Sequence, residues 1–315
     1  MNSKLTHIIV WLLVLALSLG FLLIGSGLDM DYVIPKRMVR LGSILLAGVC
    51  VGLSSVIFQS IVGNRILTPA IMGYEAVYLL FQALLILLLG TGSLIVLNAA
   101  SNAALSILLM LAYSWAIHHW LLRSGRSNLY LLLVGLVLSM VLGTFTQFIQ
   151  LRISPGEFSI LQSFSYASFN KAQPAQLLYS ALLVIVVCAV IYRLLNVLDV
   201  LALGREQALS LGVDHRRGVR LQLALIAVLV AVSTSLVGPT AFMGIFVANI
   251  TYLLAGTVRH RVTLPLSCAI SIALFIVAQF LVEQVFNYGT TVGILVNLVC
   301  GTYFLALMLR PRGHS

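Results

Sequence analysis

Charge is scarce in this sequence. Asp, Glu, Lys and Arg make up 8% of its 315 residues, against about 25% in a soluble domain. A chain so poor in charge cannot cover a water-facing surface, and its 61% hydrophobic content fits lipid as solvent. There are eight carboxylates: Asp29, Asp31, Glu75, Glu157, Asp199, Glu206, Asp214 and Glu283. Only Glu75 and Glu283 fall within or at the edge of an apolar run, which is little equipment for the relay of a gradient-driven carrier. Lysine occurs three times and never after glycine, so no GxxxxGK[ST] phosphate loop exists, and any ATP must be bound by another chain. Cys50, Cys188, Cys268 and Cys300 stand alone without a CxxC pair. That excludes a disulfide framework or a zinc site and leaves small buried hydrophobes. The six histidines lie near run ends or in loops, so a bis-His haem site is not supported. No Ser/His/Asp or Cys/His set stands out, and neither an enzyme active site nor a bound metal is indicated.

What the chain does have is a succession of apolar runs. A spanning helix needs about 20 residues, so the length allows roughly ten spans with short loops. They fall at 7–25, 41–62, 74–89, 96–120, 129–150, 177–195, 220–238, 244–255, 262–285 and 291–309. The first run is too long for the core of a signal peptide and lacks a small-x-small cleavage site after it, so it reads as a retained helix. The eighth is too short to cross unaided, and such a segment is tolerated at membrane depth only when buried in protein. The expectation is an all-α integral membrane protein of about ten transmembrane helices with short or broken segments, one polytopic domain over residues 1–315.

The net charge is +10 with pI near 9.8. No contiguous polar domain could bind nucleic acid, so the excess is read as a topology signal. With the N-terminus in the cytoplasm, the inner loops hold Lys4, Arg65, Arg123, Arg126, Arg193, Arg205, Arg216, Arg217, Arg220, Arg259, Arg261, Arg310 and Arg312. The outer loops hold Lys36, Arg37, Arg40, Arg152 and Lys171. The 13 to 5 split obeys the positive-inside rule with both termini inside. Three of the five outer positives cluster before the second span. They are either anchors that snorkel at a helix start or a docking patch for an acidic partner.

Two loops are long. The inner one, 196–219, places Ala202, Leu209 and Val213 on one stripe of a short amphipathic helix punctuated by Gly204 and Gly212. It either docks another protein or lies on the membrane surface. The outer one, 151–176, mixes Phe158, Phe164, Tyr166 and Phe169 with Ser, Gln and Asn. It faces a substrate or partner, or is an ordinary interfacial segment.

Three segments, in order and spacing, resemble one family. The first is Arg37-Met-Val-Arg40-Leu41 followed by Gln59-Ser-Ile-Val-Gly63-Asn64-Arg65-Ile-Leu67-Thr-Pro69-Ala-Ile-Met-Gly73. The second is Leu201-Ala-Leu-Gly204-Arg-Glu-Gln-Ala208-Leu-Ser-Leu211-Gly212-Val213. The third is Val237-Gly238-Pro-Thr-Ala-Phe242-Met-Gly244 with Arg259-His260-Arg261-Val-Thr-Leu-Pro265 after it. Together they are similar to the permease subunits of bacterial importers for iron–siderophore complexes, haem and vitamin B12 (the FecCD type).

The resemblance implies a type II ABC importer permease. Such a subunit pairs with a second, identical or paralogous permease in the inner membrane. A cytoplasmic ATPase dimer carries ATP and Mg, and a periplasmic binding protein delivers the cargo. No cofactor is then bound by this chain itself. The resemblance assigns Leu203, Gly204, Glu206, Ala208, Leu211, Gly212 and Val213 to ATPase coupling, and Arg37 and Arg40 to binding-protein docking. Gln59, Asn64, Pro69, Glu75 and Gln147 are the candidates for the translocation path, and helix packing accounts for the polar ones equally well. Several family positions are altered. The P-H-x-x-R stretch is Ala248-Asn249-Ile250-Thr251-Tyr252, and N-P-L-A is Asn64-Arg65-Ile66-Leu67. These losses fit either one half of an unequal pair, whose partner keeps the usual residues, or a subgroup with altered docking. The expected function is a ferric-siderophore permease, with haem or cobalamin as alternative cargo and a gradient-driven transporter as the second reading.

Overall fold

The computed structural model describes residues 3–24, 31, 33–96, 99–120, 128–240 and 242–309. Asp29, Arg123, Arg126, Arg310, Arg312 and His314 lie outside them. Among the described residues the regular structure is helical: α1 (Ser3–Leu23), α2 (Val33–Val62), α3 (Tyr74–Val96), α4 (Ala99–Trp120), α5 (Asn128–Gln150), α6 (Pro155–Ser165), α7 (Pro174–Arg193), α8 (Leu195–Leu201), α9 (Arg205–Ser210), α10 (His215–Leu236), α11 (Met243–Ala255), α12 (His260–Gln284) and α13 (Val292–Leu309). Six helices (α1, α2, α5, α7, α10 and α12) are long and apolar enough to cross a membrane, and α3, α4, α11 and α13 contain shorter apolar stretches. These ten coincide with the ten apolar runs. The remaining three lie on the two long loops.

Burial sorts the helices into layers. The apolar windows of α2, α10 and α12 are 72%, 72% and 67% buried, against 17–22% for α1, α5 and α7. The first three are therefore the interior and the others leave broad apolar faces outward. In lipid there is no hydrophobic drive between helices, so close approach through small residues and hydrogen bonds must hold them. The α2–α12 seam shows both. A Cβ on Gly52 would stand 2.8 Å from the Ser267 carbonyl, and one on Gly48 would stand 2.6 Å from the Ile272 side chain. Ser271 Oγ donates to Gly48 O at 2.5 Å.

Two non-helical stretches interrupt the interior. Residues 63–73 follow α2, and 237–240 follow α10. With 13 residues, α11 is only ~20 Å long, short of the ~30 Å hydrocarbon layer. As expected for a broken segment, both stretches have backbone groups tied to protein. Tyr113 Oη donates to Met72 O at 2.5 Å and Ser139 Oγ to Ile71 O at 2.7 Å. Ser168 N donates to Val237 O at 2.8 Å.

The outer loop is built rather than loose. α6 starts with a capping box between Ser154 and Glu157. The chain then presses against the second break, where the φ of +107° at Gly238 and its approach to Tyr166 O and Ala167 require glycine. Phe169 is fully buried and meets Phe275 edge-on at 5.1 Å. It belongs to the core, while Phe158 and Tyr166 are exposed. The inner loop differs from the single short helix expected. Gly204, at φ +98°, splits it into α8 and α9. Ala202 caps the first helix and Val213 follows the second, so the Ala202–Leu209–Val213 stripe does not form.

Candidate functional site

The two breaks meet at Glu75, in the first turn of α3. Its carboxylate accepts from Thr240 N at 2.8 Å and Thr240 Oγ1 at 3.1 Å, joining residues 165 apart. Beside it lies a cavity of about 20 Å³, bounded by Ser54, Ser55, Thr68, Pro69, Ser233, Thr240 and Gly244. That is room for one water. The Thr68 hydroxyl on its wall is 1% exposed and lacks a protein partner, which suits such a water. Gly244 is required here because a Cβ would fall 2.4 Å from Ser55 Oγ. Pro69 and Glu75 thus share one buried polar spot between broken segments.

Gln59 and Asn64 lie elsewhere, on a cleft of about 470 Å³ at the end of α2. The cleft is lined also by Arg65, Asp199, Leu203, Tyr252, Arg259 and His260. Gln59 is 3% exposed and donates through Nε2 to Arg65 O at 2.7 Å. Asn64 Oδ1 accepts from Ile66 N at 2.9 Å, a local turn bond. Gln147 joins neither site. It stands exposed on α5, a helix whose outer face also shows Phe145 and Phe148.

The coupling candidates divide by burial. Leu203, Leu209 and Leu211 are 56%, 55% and 60% exposed, so the loop offers apolar side chains outward. Gly204, Glu206 and Gly212 are exposed as well, and Val213 is half-buried. Ala208 is fully buried, and its carbonyl accepts from Val213 N at 2.9 Å. It holds the loop's shape rather than presenting a surface.

Arg37 and Arg40 share one face, as their spacing predicts, but that face turns inward. Arg37 is 7% exposed. It donates to Phe21 O at 2.9 Å and Ile24 O at 2.6 Å, and lies 3.7 Å from Glu283. Arg40 donates to Glu283 Oε1 at 2.9 Å and to Tyr288 Oη at 3.2 Å. Glu283 also accepts from Gln279 Nε2 at 2.6 Å. The two arginines expected to dock a binding protein thus form, within this chain, a bracket that ties α1, α2 and α12. The second intramembrane carboxylate has its place in that bracket.

Sequence reasoning missed Thr240, Tyr113 and Ser139, and also Ser60, Asp199 and His260, which the fold joins by hydrogen bonds. Ser60, Thr240 and His260 stand inside segments that carry the family resemblance and Asp199 is one of the eight carboxylates, but nothing local gives their partners. Their contacts span 41 to 200 positions, and each is an ordinary polar residue until the fold supplies its partner.

The chain is 36% identical over 307 residues to the petrobactin import system permease protein YclO of Bacillus subtilis (strain 168), which covers 95% of this chain and 97% of that protein. It is 34% identical to the petrobactin import system permease protein FatC of Bacillus anthracis, over 94% of this chain and 85% of that one. The fold matches a metal-chelate type ABC transporter in an inward-facing conformation with TM-score 0.85 at 19% identity, covering 98% of this chain and 100% of the other. Residues 5–310 match one transport family throughout. Ten apolar helices, two buried breaks and an outward-facing apolar inner loop thus sit on a chain that belongs to the FecCD transport family.

Proposed function

We propose that this chain is the permease subunit of an ATP-driven importer and forms half of a path for a ferric siderophore across a bacterial inner membrane. The observation that carries the reading is the inner loop. Three leucines stand more than half exposed on α8–α9 and its flanks, on a loop with Arg205, Glu206, Arg216 and Arg217. Large apolar side chains clustered outside a fold mark a contact surface. A groove on an ATPase is the partner that gives such a surface a use. ATP and Mg then reside on that partner, and both termini and the α8–α9 loop face the cytoplasm.

Two relatives above 30% identity are both named for petrobactin import, which favours a ferric siderophore over haem or cobalamin as cargo. Bacillus anthracis has two petrobactin import permeases, FatC at 34% and FatD at 25% identity to this chain. That supports a paralogous second permease as partner. A periplasmic or surface binding protein delivers the cargo, and Arg40, whose side chain is 23% exposed, is the member of the arginine pair left to meet it. The path is assigned to the exposed face of α5 with Gln147, with Gln59, Asn64, Pro69 and Glu75 as further candidates.

The test is copurification. Leu209→Glu and Leu211→Glu are expected to release the ATPase while the permease stays monodisperse and normally stable. An ATPase that remains bound to both variants would defeat the coupling assignment.

A further inference from the structure

The side chain of His260 joins three elements. It opens α12 and is 2% exposed. Nδ1 lies 2.5 Å from Asp199 Oδ1, on α8. The backbone N of the same residue donates to that oxygen at 2.9 Å. Nε2 lies 2.7 Å from Ser60 Oγ, near the end of α2. We propose that His260 is a positioning residue for coupling, which carries displacement of the α8–α9 loop into α12 and α2. The inference rests on the permease reading.

Without this link α8 would be held mainly by packing. It has seven residues, and its inward side chains are Leu198 and Leu201. Apolar contacts have no preferred direction, so a short helix held by them slides without moving its neighbours. Hydrogen bonds have fixed length and angle. The Asp199 bonds also supply α12 with what its own sequence lacks. Arg259, the residue before the helix, makes no side-chain cap. The orphan N–H of the first turn is satisfied instead from 61 residues upstream. A carboxylate is favoured at that end of a helix. The start of α12 therefore moves with α8.

The link survives either protonation state of the ring. Ser60 has one hydroxyl hydrogen. With a neutral ring, Nδ1–H donates to Asp199 and Ser60 donates to Nε2. With a protonated ring both ring N–H groups donate, and Ser60 turns its hydrogen to Val56 O, 2.8 Å away. Beyond Ser60 the connections continue. Neighbouring Gln59 holds Arg65 O at the first break, and further along that break Ile71 O and Met72 O are held by Ser139 on α5 and Tyr113 on α4. A push at α8 thus has a bonded route to the helix that carries Gln147.

Contiguity alone does not prove coupling, so the test measures it. The whole importer, copurified with its ATPase, is placed in proteoliposomes with its binding protein, and iron-loaded petrobactin is the transport probe. Uptake and ATP hydrolysis are read together. His260→Ala, Asp199→Asn and Ser60→Ala are expected to keep hydrolysis within about twofold, while uptake per ATP falls about tenfold, the scale of one lost charge-assisted bond. His260→Asn, whose amide can still reach Asp199, is expected to restore part of the loss. The double variant His260→Ala/Asp199→Asn should be no worse than His260→Ala. A parallel fall of uptake and hydrolysis, additive effects, or unchanged uptake per ATP would each overturn the inference. Should His260→Ala fail to fold, Ser60→Ala and Asp199→Asn decide by the same ratio. Failure of the permease reading looks different: wild-type vesicles would then show no ATP-driven uptake, and the inference would fall with it.

Discussion

Arg37→Leu tests the inward bracket directly. The native guanidinium makes two short bonds to carbonyls at the end of α1, 2.9 Å to Phe21 O and 2.6 Å to Ile24 O, and a longer 3.7 Å contact to Glu283. Leucine removes all three. Glu283 keeps Arg40 at 2.9 Å and Gln279 at 2.6 Å, so its charge stays compensated and the loss falls on the helix-end carbonyls. Two bonds to a charged donor set the cost at roughly 2–4 kcal/mol. Glu283→Leu is worse, because it takes the shared carboxylate from two guanidiniums, one of them 8% exposed. Breaking a buried pair from one side costs about 3–5 kcal/mol. Arg40→Leu is mildest, at about 1 kcal/mol, since its side chain is 23% exposed and water replaces part of what is lost. The expected order of thermal stability in detergent is wild type, Arg40→Leu, Arg37→Leu, Glu283→Leu. Amide exchange should rise at 21–24 in Arg37→Leu alone. Because the pair is buried, the order should persist from low to high salt. Arg40→Leu proving more damaging than Arg37→Leu would refute the bracket and revive an exposed docking patch.

Two further outcomes are expected. Gly52→Ala puts a Cβ 2.8 Å from the Ser267 backbone, which must part α2 from α12 at a cost of about 1–3 kcal/mol; unchanged stability in a thermal melt would argue against that seam. A cysteine at Gln147, with the half-buried Cys188 changed to Ser and Cys50, Cys268 and Cys300 buried, should react with a charged, membrane-impermeant thiol reagent in the assembled importer; lack of reaction would place that face of α5 in lipid.

The ten helices were legible because hydrophobic runs report on solvent, and lipid leaves a strong mark. The eighth run was also legible as a buried broken segment, from length alone. The arginine pair shows where legibility stops. Arg37 and Arg40 are three apart, so a shared face follows from helical spacing, but which way it points depends on Glu283, 243 positions from Arg40. The α8–α9 loop failed for a different reason. A stripe through Ala202, Leu209 and Val213 assumes one continuous helix, and a glycine at φ +98° ends it. The link between Ser60, Asp199 and His260 was invisible because a satisfied polar residue looks the same in sequence whatever satisfies it.

The seam between α2 and α12 has a mechanical consequence. The helices run antiparallel, with Arg40 against Glu283 at one end, Gly48 and Gly52 against Ile272 and Ser267 between, and Ser60 against His260 at the other. The 21 residues from Arg40 to Ser60 make a beam ~30 Å long, about the thickness of the hydrocarbon layer. Pinned by polar groups at both faces and closed by glycines in the middle, it has no play along its length. A residue inserted in α2 between the pins would turn one end about 100° relative to the other, and no single setting of the helix could then engage both.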